Sequence, residues 1–312
     1  MRVFLAGATG AIGRPLADRL LAAGHEVVGT TRDEARAPVL ARRGVEPVVL
    51  DAFDAPAVHA AVAAARPEVV IHQLTTLPQD PTPKSMAAAT EANARLRRET
   101  VPTSVDAARA AGARRVIVQS ISFVTRPDGR PVHDEDAPLD LDTPWQATNV
   151  GGVAALEAAV REASGDLEGV VMRYGFFYGP GTWYAPDGAL ATMIRKRRYP
   201  IVGSGEGRSS FVHVDDAVDA TVRALDAAVP SGTYNITDDE PARAADWIPE
   251  AARAMGAKPP RHVPAWLARR VAGDVVVHYG TTLPGNANAR ARAAMPGWAP
   301  RPWRQGFAEV LG

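Results

Sequence analysis

The chain has 312 residues, enough for one large domain or two modest ones. Its 35 Lys and Arg cancel its 35 Asp and Glu, which argues against a nucleic-acid binder that works by general electrostatic attraction. There is no cysteine, so disulfides, zinc–thiolate sites, iron–sulfur clusters and cysteine nucleophiles are excluded. Hydrophobic residues make up 46% and charged residues 22%, the balance of a globular chain with a sizeable core. Apolar runs such as Val69–Ile71 and Val170–Met172 are strand-sized, far short of the about 20 residues a spanning helix needs. Met1–Ala6 runs straight into a glycine loop with no cleavage-type region. A soluble, cytoplasmic protein without nucleic-acid or membrane partners is therefore expected.

Arg2–Ala6 reads as a buried strand that ends in Gly7. Pro15–Leu21 has helical periodicity and stops at Gly24. His25–Thr30 is the second strand, Glu34–Arg43 a helix, Val45–Leu50 the third strand and Pro56–Ala65 an alanine-rich helix. Val69–His72 is the fourth strand. Ser85–Ala111 then reads as helical, with Pro102 expected to kink or divide it. Arg115–Gln119 is the fifth strand, Val150–Ala163 a helix and Gly169–Arg173 the sixth strand. Beyond Tyr174 the alternation fades. Helices are expected near Ala189–Arg198, Asp215–Ala228, Ala242–Met255 and Ala265–Val271.

Strands alternating with helices at this spacing imply right-handed βαβ units. The expected fold class is α/β: a Rossmann-type doubly wound parallel sheet with a smaller C-terminal substrate lobe. Residues 1–173 would form the dinucleotide-binding domain. Residues 174–312 would form the substrate lobe, partly interleaved with the last strands.

Gly7, Gly10 and Gly13 lie on a strand–loop–helix junction. In such a loop the first glycine permits the turn. The second lets backbone approach a pyrophosphate, and the third lets helix and strand pack closely. An acid closing the second strand would bind the ribose hydroxyls of NAD. Thr31 stands there instead and Arg32 follows, a guanidinium able to grip a 2′-phosphate. NADP is the expected cofactor, with NAD as the alternative.

These residues resemble an extended, atypical short-chain dehydrogenase/reductase of the NAD(P)-dependent epimerase/dehydratase group. The Gly7–Gly13 loop, with Thr9, Ala11 and Ile12, matches that family's TGxxGxxG variant. Asp51, followed by Ala52, matches the acid that contacts adenine. Gln73 and Leu74 match the segment that lines the cofactor, and Asn93 a structural asparagine. Tyr178–Pro180, Phe211–Asp216 and Gly232–Asn235 resemble later motifs; Tyr174 joins the expected cofactor residues and His213 is read as packing.

The family's Tyr-x-x-x-Lys pair is missing. Counting back from Glu157 puts Asn149 at the Tyr position and Val153 at the Lys position, and neither can titrate near neutrality. Alignment on Val124 puts Ile121 at the usual Ser and leaves Ser120 and Ser122 as neighbouring candidates. His133, in His133–Asp136, is a further acid/base candidate, and no metal site is completed around it. Phe176 stands where nucleotide-sugar enzymes carry an asparagine, and Ser209, beside Arg208, where they carry a phosphate-holding arginine. An apolar or aromatic small-molecule substrate is therefore expected, in a pocket built from Phe176, Phe177, Trp183 and Tyr184. The resemblance implies an NADP-dependent oxidoreductase with non-standard catalytic residues. A redox-silent sensor and a redox-neutral cyclase or isomerase are the alternatives, and a homodimer is an expected assembly.

Overall fold

The computed structural model describes residues 1–163 and 167–312. Its frame is a seven-stranded sheet. The strands are β1 (Arg2–Ala6), β2 (Glu26–Thr31), β3 (Glu46–Val49), β4 (Val69–His72), β5 (Arg115–Ile121), β6 (Glu168–Tyr174) and β7 (Gly232–Ile236). They lie in the order β7-β6-β5-β4-β1-β2-β3, and every pairing is parallel. The chain winds outward from β1 to β3, then returns to place β4 on the other side of β1. That reversal opens a crevice at the C-terminal ends of β1 and β4, where ligands of such sheets bind.

Side chains alternate across the strands, and both faces are apolar because helices cover both. Val3, Leu5, Ile71, Ile117 and Met172 face α1 (Gly13–Ala22). Phe4, Val70, Val116, Val118 and Val171 enter the opposite core, which the following helices cover. These are α3 (Ala55–Ala65), α4 (Pro83–Ala110) and α5 (Ala147–Arg161), whereas α2 (Ala37–Arg42) sends Leu40 to the α1 side. A Cβ on Gly152 of α5 would lie 2.8 Å from the Ala94 Cα of α4, so these two helices cross in close contact.

The later helices are α6 (Ala189–Arg195), α7 (Val214–Arg223), α8 (Ala244–Ala254), α9 (Ala265–Ala272), α10 (Asp274–Thr281), α11 (Ala289–Ala294) and α12 (Trp303–Leu311). Among them Tyr178, Tyr184, Phe211, Trp247, Trp303 and Phe307 form a separate aromatic core. The sheet crosses the boundary expected at residue 173, because β7 is drawn from beyond it and pairs with β6.

Several expected elements change. Pro102 does not divide α4, which is continuous over 28 residues. Its start is set by Thr82 and Ser85, which form a capping box ahead of Pro83. The helix expected over residues 34–43 splits into a 3₁₀ turn, Glu34–Arg36, and α2, with Pro38 in its first turn. The helix from Ala189 stops at Arg195, and Arg197 takes a positive φ of 56°. β7, α10, α11 and α12 were not expected.

Asp238, just after β7, ties this frame to α12. Its carboxylate accepts the backbone N–H groups of Trp303 at 2.8 Å and Glu240 at 3.3 Å. Burial pushes its pKa up to about 8, against the lowering effect of those donors. The folded value lies above the unfolded one. The protonated form therefore stabilises the fold, fully below the unfolded pKa, and this contribution is lost as pH rises through about 8. Thermal denaturation as a function of pH should show the wild type losing stability between acid and alkaline pH. Asp238→Asn should lose less over the same range, and parallel curves would contradict the assignment.

Candidate active site

The crevice between β1 and β4 is shaped by glycines. Gly7 takes φ +93°, and a Cβ there would come 2.9 Å from the Gln73 carbonyl oxygen at the end of β4. A Cβ on Gly13 would fall 1.9 Å from the Gly7 carbonyl oxygen, so only glycine lets α1 start against β1. Gly10 is different. It is exposed, and a Cβ on it would meet only the Gly7 oxygen, at 3.4 Å. The space in front of the α1 N-terminus is open, as a pyrophosphate cradle requires. Thr9 and Ala11 line it half-exposed, while Ile12 is buried beneath. The Gly179–Gly181 turn overhangs it. A Cβ on Gly181 would lie 3.7 Å from the Ala11 Cβ and 3.9 Å from Arg14 Nη2, a cation at this loop that sequence reasoning missed.

At the end of β2, Thr31 is buried and its hydroxyl accepts the Asp33 N–H at 3.1 Å. Arg32 is exposed and has no hydrogen-bond or ion-pair partner among the described residues. Asp51 is exposed beyond β3, Oδ1 accepting the Phe53 N–H at 3.0 Å, with Ala52 half-buried beside it. Gln73 is buried and donates from Nε2 to the Tyr174 hydroxyl at 2.9 Å, which also meets Thr221 at 2.6 Å. The Tyr174 ring is thus engaged in the core. Leu74 is half-exposed. Asn93 holds the loop after β4, donating to the Thr76 carbonyl at 2.7 Å and accepting its N–H at 3.0 Å.

Of the acid/base candidates, only Asn149 has open surface. Ser120 is fully buried, and its hydroxyl points to Glu157 Oε1 at 3.3 Å. Ser122 is fully buried with an unpartnered hydroxyl. His133 is buried in a two-residue strand beside Gly285–Asn286, with Nδ1 2.9 Å from Thr125 Oγ1 and Nε2 2.9 Å from Asp128 Oδ1. Asn149 Oδ1 accepts from Arg97 Nη1 at 2.8 Å, an arginine on α4 that sequence reasoning missed. Val153, one turn further along α5, packs with Val124, Val150, Ile121 and Leu139 in an apolar cluster.

An aromatic cluster forms beyond the ends of β5 and β6. The rings of Phe123, after β5, and Phe176, after β6, stack at 4.3 Å, and Tyr279 of α10 meets both edge-on at 6.4 and 6.0 Å. All three are half-exposed. Burial pushes the Tyr279 hydroxyl up to about 12, so it stays protonated at neutral pH. Trp145, one turn before Asn149, lies 5.3 Å from the His278 ring. Of the expected pocket aromatics only Phe176 joins this cluster. Phe177 packs against Tyr174, Tyr184 is core, and Trp183 donates to the Pro78 carbonyl at 2.8 Å. Phe123 and Tyr279 were missed, although Phe123 directly follows a strand end, which is a usable signal.

At the end of β6, Arg173 grips Glu157 of α5 in bidentate fashion, both bonds 2.7 Å, with the two side chains 5% and 7% exposed.

The strand order and the glycine cradle define a Rossmann-type nucleotide-binding protein. The chain belongs to the NAD dependent epimerase/dehydratase family, whose sequence model matches residues 3–237, and it is an oxidoreductase or epimerase of that family. It is 51% identical, over 98% of its length and 99% of the relative's, to a Streptomyces protein named 3-diazoavenalumate denitrifying reductase. It is 30% identical to a UDP-glucose 4-epimerase of Mycolicibacterium smegmatis, over 76% and 77% of the two chains. A human epimerase family protein solved with NADPH superposes with a TM-score of 0.75 at 20% identity, covering 100% of this chain and 99% of that one, a likeness of fold.

The Glu157–Arg173 pair supports the ends of β5 and β6, where the site lies. Arg173→Met leaves a buried carboxylate uncompensated and should cost about 3–5 kcal/mol in urea denaturation. The double variant Glu157→Leu/Arg173→Met should recover most of that loss. Equal losses in the single and double variants would contradict this role.

Proposed function

We propose that this protein is an NADP(H)-dependent reductase that removes nitrogen from an aromatic diazo substrate. The observation that carries the reading is the site itself. Ile121, Val124, Val150 and Val153 form an apolar cluster around α5, and among the acid/base candidates only Asn149, an amide that cannot titrate, has open surface beside it. Such a site suits a reduction that draws no proton from the protein.

Bound reduced nicotinamide would supply a hydride equivalent. An arenediazonium group exchanged for hydrogen with release of N₂ is balanced by that alone, whereas a ketone would also need a proton at oxygen. The 51% identical relative supports this class, since its name combines a diazo compound, loss of nitrogen and reduction.

Each part of the chain then has a task. Gly7, Gly10 and Gly13, with the N-terminus of α1, would hold the pyrophosphate, and Arg14 adds positive charge at the same loop. Thr31 leaves room for a 2′-phosphate and Arg32 would pair with it. Asp51 and Ala52 would border the adenine, and Gln73 and Leu74 the middle of the cofactor. Residues 174–312 would supply the substrate side through Phe176 and Tyr279, which with Phe123 offer ring faces to an arene and exclude water.

Supplying NADPH and a ring-hydroxylated arenediazonium salt should oxidise one NADPH per arene formed. NADPH should bind more tightly than NADH in calorimetry. Arg32→Ala should weaken NADPH alone, by about 1.5–3 kcal/mol, the scale of a hydrogen bond to a charged group. Equal affinities for the two cofactors would overturn the NADP preference. NADPH left unconsumed in the presence of diazo compounds would overturn the reaction.

A further inference from the structure

Arg97 is a buried cation without a direct ion pair among the described residues. It is 8% exposed, its one hydrogen bond goes to Asn149 Oδ1, and no carboxylate among the described residues lies within ion-pair distance. The other deeply buried arginines each have a carboxylate and further acceptors. Arg115 bonds Glu168 and the carbonyls of Ala224, Asp226 and Val229, while Arg173 bonds Glu157 and the Glu135 carbonyl. A guanidinium carries five N–H donors, and leaving most of them idle in a dry place is costly. Burial lowers the Arg97 pKa to about 10, partly offset by Glu157, so the group remains charged at neutral pH.

That cation fixes how Asn149 faces. A guanidinium has no acceptor, so the amide must present its oxygen to Arg97 and turn its NH₂ away. Asn149 is half-exposed, and its Nδ2 has no partner among the described residues. It therefore offers two free N–H donors, backed by positive charge, beside Val150 and Val153.

We propose that Asn149 and Arg97 form a binding site for an anionic oxygen of the substrate, with the amide donating to it and the guanidinium supplying counter-charge. This rests on the diazo-reductase reading above and narrows its substrate to arenes whose ring oxygen is conjugated with the diazo-bearing carbon. In the neutral oxo-diazo form, that carbon accepts hydride from reduced nicotinamide, a C–H bond forms, the C–N bond breaks and N₂ leaves. The displaced electron pair ends on the ring oxygen as a phenolate, and no proton is consumed. A buried cation opposes an arenediazonium without such an oxygen, and it stabilises the phenolate as it forms.

The test uses 4-nitrophenol, whose absorbance reports its ionisation, with nitrobenzene as the uncharged control. The wild-type protein should bind the phenolate at least tenfold more tightly than nitrobenzene and hold the probe ionised below its free titration range. Asn149→Ala, at a half-exposed position, and Arg97→Met should each lose that preference while keeping nitrobenzene affinity, and Arg97→Lys should restore part of it. Wild-type protein without phenolate preference would overturn the proposal. So would variants that bind both probes as the wild type does, or an Arg97→Met variant that weakens only NADPH. Asn149→Ala decides the matter if Arg97→Met does not fold. The probe needs no turnover, so a phenolate site in a protein inert to diazo compounds would refute the diazo reading and leave this site standing.

Discussion

The contact between Gly13 and the carbonyl of Gly7 leaves no room for even a methyl group, and the rest of the site is hung from it. Because α1 must begin against the end of β1, its unpaired N–H groups face the crevice where β4 returns beside β1. Gly7 closes the same crevice from the other side by touching the backbone of Gln73. Three glycines thus do different work, and only Gly10 faces open space. The C-terminal ends of β5 and β6 then present Phe123 and Phe176 next to that cradle, over the buried Glu157–Arg173 pair.

In the proposed reaction, fixed electrostatics around Asn149 take the place of a titrating acid. Ile121, Asn149 and Val153 stand where the family resemblance places a serine, a tyrosine and a lysine. Ser120, Ser122 and His133 are turned into the interior, and two of them already have partners. Under the proposed reading such a site would serve ketone reduction poorly, since that needs a proton at oxygen, and would suit an acceptor whose leaving group departs as a neutral gas. Arg97 gives the amide of Asn149 a fixed direction and a charge behind it, at a low dielectric where both count for more than in water.

Local signals in the sequence carry the first half of the fold. The glycine spacing, the run of two-faced apolar strands and the residue after β2 each act within a few positions of one another, so they can be read without knowing the fold. Ser120 shows the limit of such reading. Strand alternation puts it on the face of Val116 and Val118, which pack against α4 and α5, and its neighbour Glu157 is 37 residues away. Arg97 is harder still, since it is one polar residue on a 28-residue helix and its partner lies 52 positions further on. β7 is short and joins the sheet far along the chain from β6, and only tertiary pairing reveals it.

In the proposed reaction the protein donates no proton in the chemical step. That is tested most directly by single-turnover oxidation of NADPH with a ring-oxygenated diazo arene, followed across neutral pH in H₂O and in D₂O. The account predicts a rate that does not follow any ionisation of the enzyme and is the same in both solvents. A rate that rises and falls with an enzyme group and slows in D₂O would show a general acid at work and contradict it.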